Sequence, residues 1–389
     1  MLALRLARGA HPLVQLRRLL VAAASAGTGF LLLCTLGYAM GHPEASGGAA
    51  LRLAWCVAPI AATVYFAVTV ARTDPATRPR SGLSAVGLGP ARLTVLAAIS
   101  TAVACTLGSL VALLLFLHLR GDLTGLPFDN ASSELLAAGR PLPLPAALTL
   151  LALVPLTASA ASAAALRPRA ASPRAGKQDD TAPPDAPAAA PSGLPWGVAL
   201  LAAGLAVETY ASRSPGDSDL TLPGGLAGSP VGVLAGWALT AVGLVLAGPG
   251  LTHLCGRLLQ AVRPGAMRLL AGRGLQEEAR RIGRPLGVLC AVGSAAYAAL
   301  TLYSGDRPDI GPLTQLGSLL VAGCAVLTLA TAAVEVKHAR ADTTSALLQL
   351  GAPASKLRGV AALRAGALAA VFVPLTWVVA QLAALPLAG

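Results

Sequence analysis

Long apolar runs separated by short polar stretches set the pattern of this chain. The runs fall at about 19–40, 51–71, 93–118, 146–166, 196–212, 231–254, 285–304, 312–335 and 360–387. Most reach the roughly 20 residues that a helix needs to cross the hydrocarbon layer. The pattern predicts an all-α polytopic transmembrane helix bundle of about nine spans. The last run, Val360–Leu387, has room for one tilted span or for one span and part of a tenth. The first, Leu19–Met40, is read as a retained helix because it is longer than a signal-peptide core; a cleaved signal peptide is the alternative.

Two polar stretches stand apart. Residues 167–195 are rich in Pro, Ala, Ser and charge, cannot bury a core, and are expected to form a disordered cytoplasmic linker. Pro264–Arg284 mixes Met267, Leu269, Leu270, Leu275 and Ile282 with Arg268, Arg273, Glu277, Glu278, Arg280, Arg281 and Arg284. A basic amphipathic helix of this kind tends to lie in the membrane interface. Pro285 is expected to mark entry to the next span.

Two loops repeat one another. Ser345–Leu357, SALLQLGAPASKL, aligns without gaps on Ser81–Leu93, SGLSAVGLGPARL. Leu83 meets Leu347, Val86 meets Leu350, Gly87 meets Gly351, and Arg92 meets Lys356. In each, a short apolar helical turn should stop at the glycine, which can take the left-handed conformation past a helix end. Pro90 and Pro353 follow, where a new helix can begin without losing a backbone bond. Chance matching of two Ala/Gly/Leu-rich loops is the alternative to duplication. Duplication divides the chain into a first membrane repeat at 1–166, the linker at 167–195, a central pair of spans at 196–263 and a second repeat at 264–389.

Charge orients these parts. Only 12% of residues are charged, against about 25% in soluble domains. The net charge of +12 would suggest a nucleic-acid partner in a soluble protein. Here the cations lie between apolar runs, so no nucleic acid is expected. With the N-terminus inside, 24 of the 29 basic residues fall on the cytoplasmic side, as positive-inside orientation requires. Both paired loops are then cytoplasmic. Arginine in place of lysine, with abundant Ala, Gly and Pro, suggests a high-GC bacterial genome, and with the apolar spans the expected location is a bacterial plasma membrane.

Little chemistry is written into the side chains. The six cysteines form no CxxC pair and read as small packing residues. The five histidines show no ligand spacing, so no metal or cofactor is expected. No phosphate-binding GxxxxGK[ST] loop occurs, so ATP hydrolysis is not expected of this chain, and it is read as a non-enzyme. Glu208 and Glu335 are the acids nearest to apolar spans and are expected to snorkel to the interfaces. Gly27, Gly29, Gly293, Ser294 and Ala295 should allow close helix packing.

The segment LLQLGAPASKLRGVAALRAGALAAVF resembles the coupling region of FtsX/MacB-like ABC transporter permeases in their long, duplicated form. The resemblance implies a permease subunit whose two cytoplasmic loops dock on a separate ABC ATPase, expected as a dimer. It implies coupling roles for Leu83, Val86, Gly87, Arg92, Leu347, Leu350, Gly351, Ala352 and Lys356. The Pro264–Arg284 helix is similar to the amphipathic helix that precedes each repeat in that family, and Leu4–Arg18 to a degenerate copy of it. Two features depart from the family pattern: a tenth span is missing or unresolved, and the outer loops are very short. A non-transporting membrane scaffold or regulator, a degenerate permease, is the alternative function.

Overall fold

A computed structural model describes residues 12–74, 90–122, 136, 139–167, 191–213, 230–261, 265–302, 311–351 and 353–388. The linker expected at 167–195 lies outside these residues from 168 to 190. Regular structure among the described residues is helical. In chain order the helices are α1 (Pro12–Gly41), α2 (Ser46–Trp55), α3 (Val57–Thr73), α4 (Pro90–Arg120), α5 (Leu144–Leu166) and α6 (Leu194–Arg213). They continue as α7 (Pro230–Ala261), α8 (Ala266–Leu302), α9 (Pro312–Ala339), α10 (Ala341–Gln349) and α11 (Ala354–Ala388).

Among the described residues nine segments are long and apolar enough to cross a membrane, α2 and α3 together making one of them. These match the nine apolar runs. The protein is an all-α, multi-pass membrane bundle of about nine spans. Its outward faces fit that solvent: Ile99, Val103, Leu107, Leu110 and Leu114 form one exposed stripe along α4, which suits lipid and would be a liability in water. The final apolar run forms the single helix α11, so no tenth span is seen among the described residues.

The chain divides into two packed units. The first holds Met1–Ala170 with Gly311–Thr328, and the second holds Ala171–Ile310 with Leu329–Gly389. The sequence division differs from this at two places. The first half of α9, placed with the second repeat, packs in the first unit. The central pair α6–α7 shares one unit with α8 and α11.

In the first unit α1 is central. Val21 and Ala24 pack with Phe66 of α3, Cys105 of α4, Ala158 of α5 and Cys324 of α9. Thr28 and Thr63 share a hydroxyl–hydroxyl hydrogen bond of 2.8 Å, which satisfies two buried polar groups away from water. The glycines singled out in α1 do bring helices close. A Cβ on Gly27 would lie 2.8 Å from Leu320 Cδ1, and one on Gly29 would lie 3.0 Å from Leu151 Cδ2. All six cysteines are buried and unbridged, as packing residues should be.

In the second unit, Leu244 of α7, Cys290 of α8, and Phe372 and Val379 of α11 form the core. Helices α6, α7 and α8 meet along backbone. Gly197 and Gly204 of α6 are seven residues apart; so are Gly236, Gly243 and Gly250 of α7, and the heptad spacing keeps each set on one face. A Cβ on Gly197 would fall 2.4 Å from Ala247 N, and one on Gly243 would fall 2.5 Å from Leu201 N. On its other side α7 meets α8 the same way. A Cβ on Gly283 would sit 2.5 Å from Pro249 Cα, and one on Gly287 would sit 2.4 Å from Leu244 O.

That seam corrects the reading of Pro264–Arg284. Pro264 lies outside the described residues, and Ala266 onward is one continuous helix running through Pro285. Proline removes one backbone bond and crowds the preceding turn, yet Pro285 is buried on the α7 seam between Gly283 and Gly287. Close packing on both sides holds the helix together there. The segment's inner face is Ala271, Leu275 and Ala279, all fully buried, while Arg273, Glu277, Arg280, Arg281 and Arg284 stay exposed.

The two blocks follow the register of the paired loops. The loops are offset by 264 residues (345 − 81). The same offset carries Pro90, the first residue of α4, onto Ala354, the first residue of α11. It carries Thr73, the end of α3, to two residues before the end of α9. The first and third spans of each block are also joined by a serine hydrogen bond, though not at equivalent positions of that register. Ser25 Oγ of α1 donates to Cys105 O of α4 at 2.9 Å, and Ser294 Oγ of α8 donates to Thr376 O of α11 at 3.0 Å.

Candidate functional site

The second paired loop is a helix, a glycine turn and the start of a long helix. Helix α10 ends as Leu350 N–H donates to Ala346 O at 3.0 Å. Gly351 then adopts φ +85 and its N–H donates to Leu348 O at 3.0 Å. A residue with a Cβ is strained in that conformation, and glycine is not. Pro353 accepts from Lys356 N–H at 3.0 Å as α11 begins. The expected glycine stop and proline start are both present. Pro90 is likewise the first residue of α4.

Exposure sorts the site residues. Leu350 is 84% exposed, the highest value among the large apolar side chains of the described residues. Leu348, absent from the sequence-derived set, is 46% exposed. Leu347, expected to lead with Leu350, is half-buried. Helix α10 spans little more than two turns, so adjacent leucines face different directions, and spacing alone did not fix which faced out. Lys356 is exposed, and Gly351 has open space around it. Ala352 lies outside the described residues, as do Leu83, Val86 and Gly87 of the first loop. Arg92 is exposed on the first turn of α4.

The loop is anchored at both ends to one helix. Arg340, the residue between α9 and α10, forms an ion pair with Glu278 of α8. Its Nη2 also donates to Gly274 O at 3.4 Å. From α11, Arg364 donates through Nη2 to Leu270 O at 2.9 Å and through Nε to Ala271 O at 3.2 Å. Gly274 makes room for both guanidinium groups: a Cβ there would lie 2.1 Å from Arg364 Nη2 and 3.0 Å from Arg340 Nη2. The loop is thus joined to α8 by two arginines, one on each side of it. Sequence reasoning counted these arginines only as orienting charge, since a backbone carbonyl acceptor leaves no mark in a side-chain pattern.

The first loop has a related anchor. Asp74, the first residue past α3, pairs with Arg18 of α1 at 2.6 Å. Arg17 Nη1 donates to Thr73 Oγ1 at 3.3 Å.

One residue departs sharply from expectation. Glu208 does not snorkel: it is fully buried between α6 and α7. Trp237 Nε1 donates to Glu208 Oε1 at 2.5 Å, and a Cβ on Gly236 would lie 2.9 Å from Glu208 Cβ. The glycine seam brings α7 over the carboxyl and shuts off its route to the interface. Glu335 of α9 is half-buried.

Among the described residues no group of three or more His, Cys, Asp and Glu side chains could hold a metal ion. No family model, no curated protein and no solved structure matches the chain.

Proposed function

We propose that this chain is the permease subunit of an ABC transporter in a bacterial plasma membrane, of the FtsX/MacB-like kind, with its N-terminus and both paired loops in the cytoplasm. A separate ABC ATPase, acting as a dimer, hydrolyses ATP and moves the loops; the permease converts that movement into transport or into a mechanical signal across the membrane. The observation that carries this reading is Leu350. A leucine 84% exposed at the tip of a two-turn helix between two spans is costly to leave in water and gains from a partner groove.

Helix α10 is the docking element. Leu350 and Leu348 supply apolar contact, Lys356 supplies charge, and Gly351 sets the turn. The anchors at Arg340 and Arg364 carry displacement of α10 into α8. Leu83, Val86, Gly87 and Arg92 serve the equivalent role in the first loop, and Ala352 completes the second turn.

The test is co-purification of an ABC ATPase from native membranes with wild type and with Leu350→Asp at matched membrane levels. Loss of one buried anchor weakens docking by about 2 kcal/mol or more, so ATPase recovery should fall while membrane insertion is unchanged. Equal recovery overturns the coupling role. ATPase binding without ATP-dependent transport in vesicles assigns the chain as a scaffold instead. A reporter fused at Gly176 that is active only outside the membrane reverses the orientation.

A further inference from the structure

The buried carboxyl of Glu208 is not used by the proposed coupling. Its setting is built by four residues on two antiparallel helices. On α6, Gly204 and Glu208 are one turn apart; on α7, Gly236 and Thr240 are one turn apart. They pair crosswise: a Cβ on Gly204 would lie 2.4 Å from Thr240 Oγ1, and a Cβ on Gly236 would lie 2.9 Å from Glu208 Cβ. Glycine at both crossings lets the backbones close over the two polar side chains, leaving Glu208 0% and Thr240 7% exposed.

Hydrogen bonding there is incomplete. Glu208 Oε1 accepts from Trp237. Glu208 Oε2 and Thr240 Oγ1 are both buried without a hydrogen-bond partner among the described residues. No base on the packed elements is placed to balance a negative charge. Helix α7 carries no ionisable side chain from Pro230 to Thr252, with His253, Cys255 and Arg257 near its other end. Helix α11 carries no Asp, Glu, His, Lys or Arg after Arg364. On α6 itself Tyr210 and Arg213 are exposed. The connecting segment 214–229 contributes only acids, Asp217 and Asp219.

A bare carboxylate in such a place is far more costly than the neutral acid. An added proton removes the charge and turns the unpaired Oε2 into a donor. An ionisable residue within a span is by default a functional group, since lipid gives it no other reason to persist. We propose that Glu208 is an intramembrane proton-binding site, a neutral carboxylic acid clasped between α6 and α7 at the Gly204–Gly236 crossing. The ligand is a proton, and release of that proton requires the crossing to open to water. This site stands apart from the α10 loop and does not depend on the permease reading.

Infrared difference spectroscopy of the full chain in lipid nanodiscs tests this. Glu208→Gln keeps the shape of the side chain and the acceptor for Trp237. The wild-type minus Glu208→Gln spectrum at neutral pH should contain the C=O stretch of a protonated carboxylic acid. A carboxylate pair of bands in its place overturns the proposal, whether or not sodium alters them. A second measurement needs no variant. Dicyclohexylcarbodiimide, which is lipid-soluble, adds a protonated carboxyl across one C=N bond: the acid proton goes to nitrogen and the oxygen to carbon. Migration of the acyl group to nitrogen then fixes an N-acylurea with no leaving group. At neutral pH the adduct should appear at Glu208 in the 194–213 peptide, and its yield should fall in alkaline buffer. Adduct on Glu277 with none on Glu208 overturns the assignment.

Discussion

Asp74 and Arg340 each stand just past the helix that leads into a paired loop, and each is tied back by an ion pair. The partner lies on the helix that opens the block, Arg18 for Asp74 and Glu278 for Arg340. The signs are exchanged, but the connection is the same. Both loops are thus tied back at their entrance, and the tie is electrostatic in each.

Exchanging the charges within the second tie should preserve it. Glu278→Arg alone sets two cations together, and Arg340→Glu alone sets two anions together. Each single variant should lose about 1 kcal/mol of stability, and the double variant should recover part of that loss, because these side chains are only partly exposed. Thermal unfolding of the four proteins in detergent measures the coupling. Additive losses would show that the pair contributes nothing.

Gly274 is the glycine of the α8 lead-in segment whose replacement should disturb both loop anchors. A valine there drives its side chain into the guanidinium groups of Arg364 and Arg340. Overpacking of this sort costs about 1–3 kcal/mol; on the proposed permease reading, release of the arginines from the α8 carbonyls should also lower the partner's ATPase activity. Gly366→Ala is the control, since nothing lies within 4 Å of its missing Cβ. It should be neutral or stabilising by up to about 1 kcal/mol, as helix propensity directs. The thermal unfolding temperature should fall for Gly274→Val and stay level or rise for Gly366→Ala.

At Gly351 the cost should be in the backbone alone. Its φ is +85 and its surroundings are open, so an added methyl meets strain and no neighbour. Gly351→Ala should destabilise the α10 turn by about 1 kcal/mol, and Gly351→Asn by less, because asparagine tolerates the left-handed region better. Hydrogen exchange at Leu348–Gly351 reads this directly: faster exchange in the alanine variant, intermediate in the asparagine one. Equal exchange in all three would mean that the turn does not need its glycine conformation.

The spans were legible because membrane helices are announced by length and hydropathy, and α4 and α11 begin where Pro90 and Pro353 said they would. The Gly351 turn was legible for a similar reason, one residue with one conformational privilege. The α6–α7–α8 seam was not. It is built from Gly197, Gly204, Gly236, Gly243, Gly248, Gly283 and Gly287, residues without side chains, so no apolar stripe betrays it. Two errors came from missing it. Pro285 was read as a helix boundary because its packing was unseen, and Glu208 was read as snorkelling because the helix that covers it was unseen.

The glycine seam also bears on how α6 and α8 are held in place. Glycine is a poor helix former and adds nothing to the gain from leaving water, and α6 and α8 are the two least hydropathic of the nine spans. The two helices that pack on α7 are thus also the two with the least apolar gain of their own. Helix α7, more hydropathic and in contact with both, supplies what they lack. The seam makes α7 the member through which the other two are held in place.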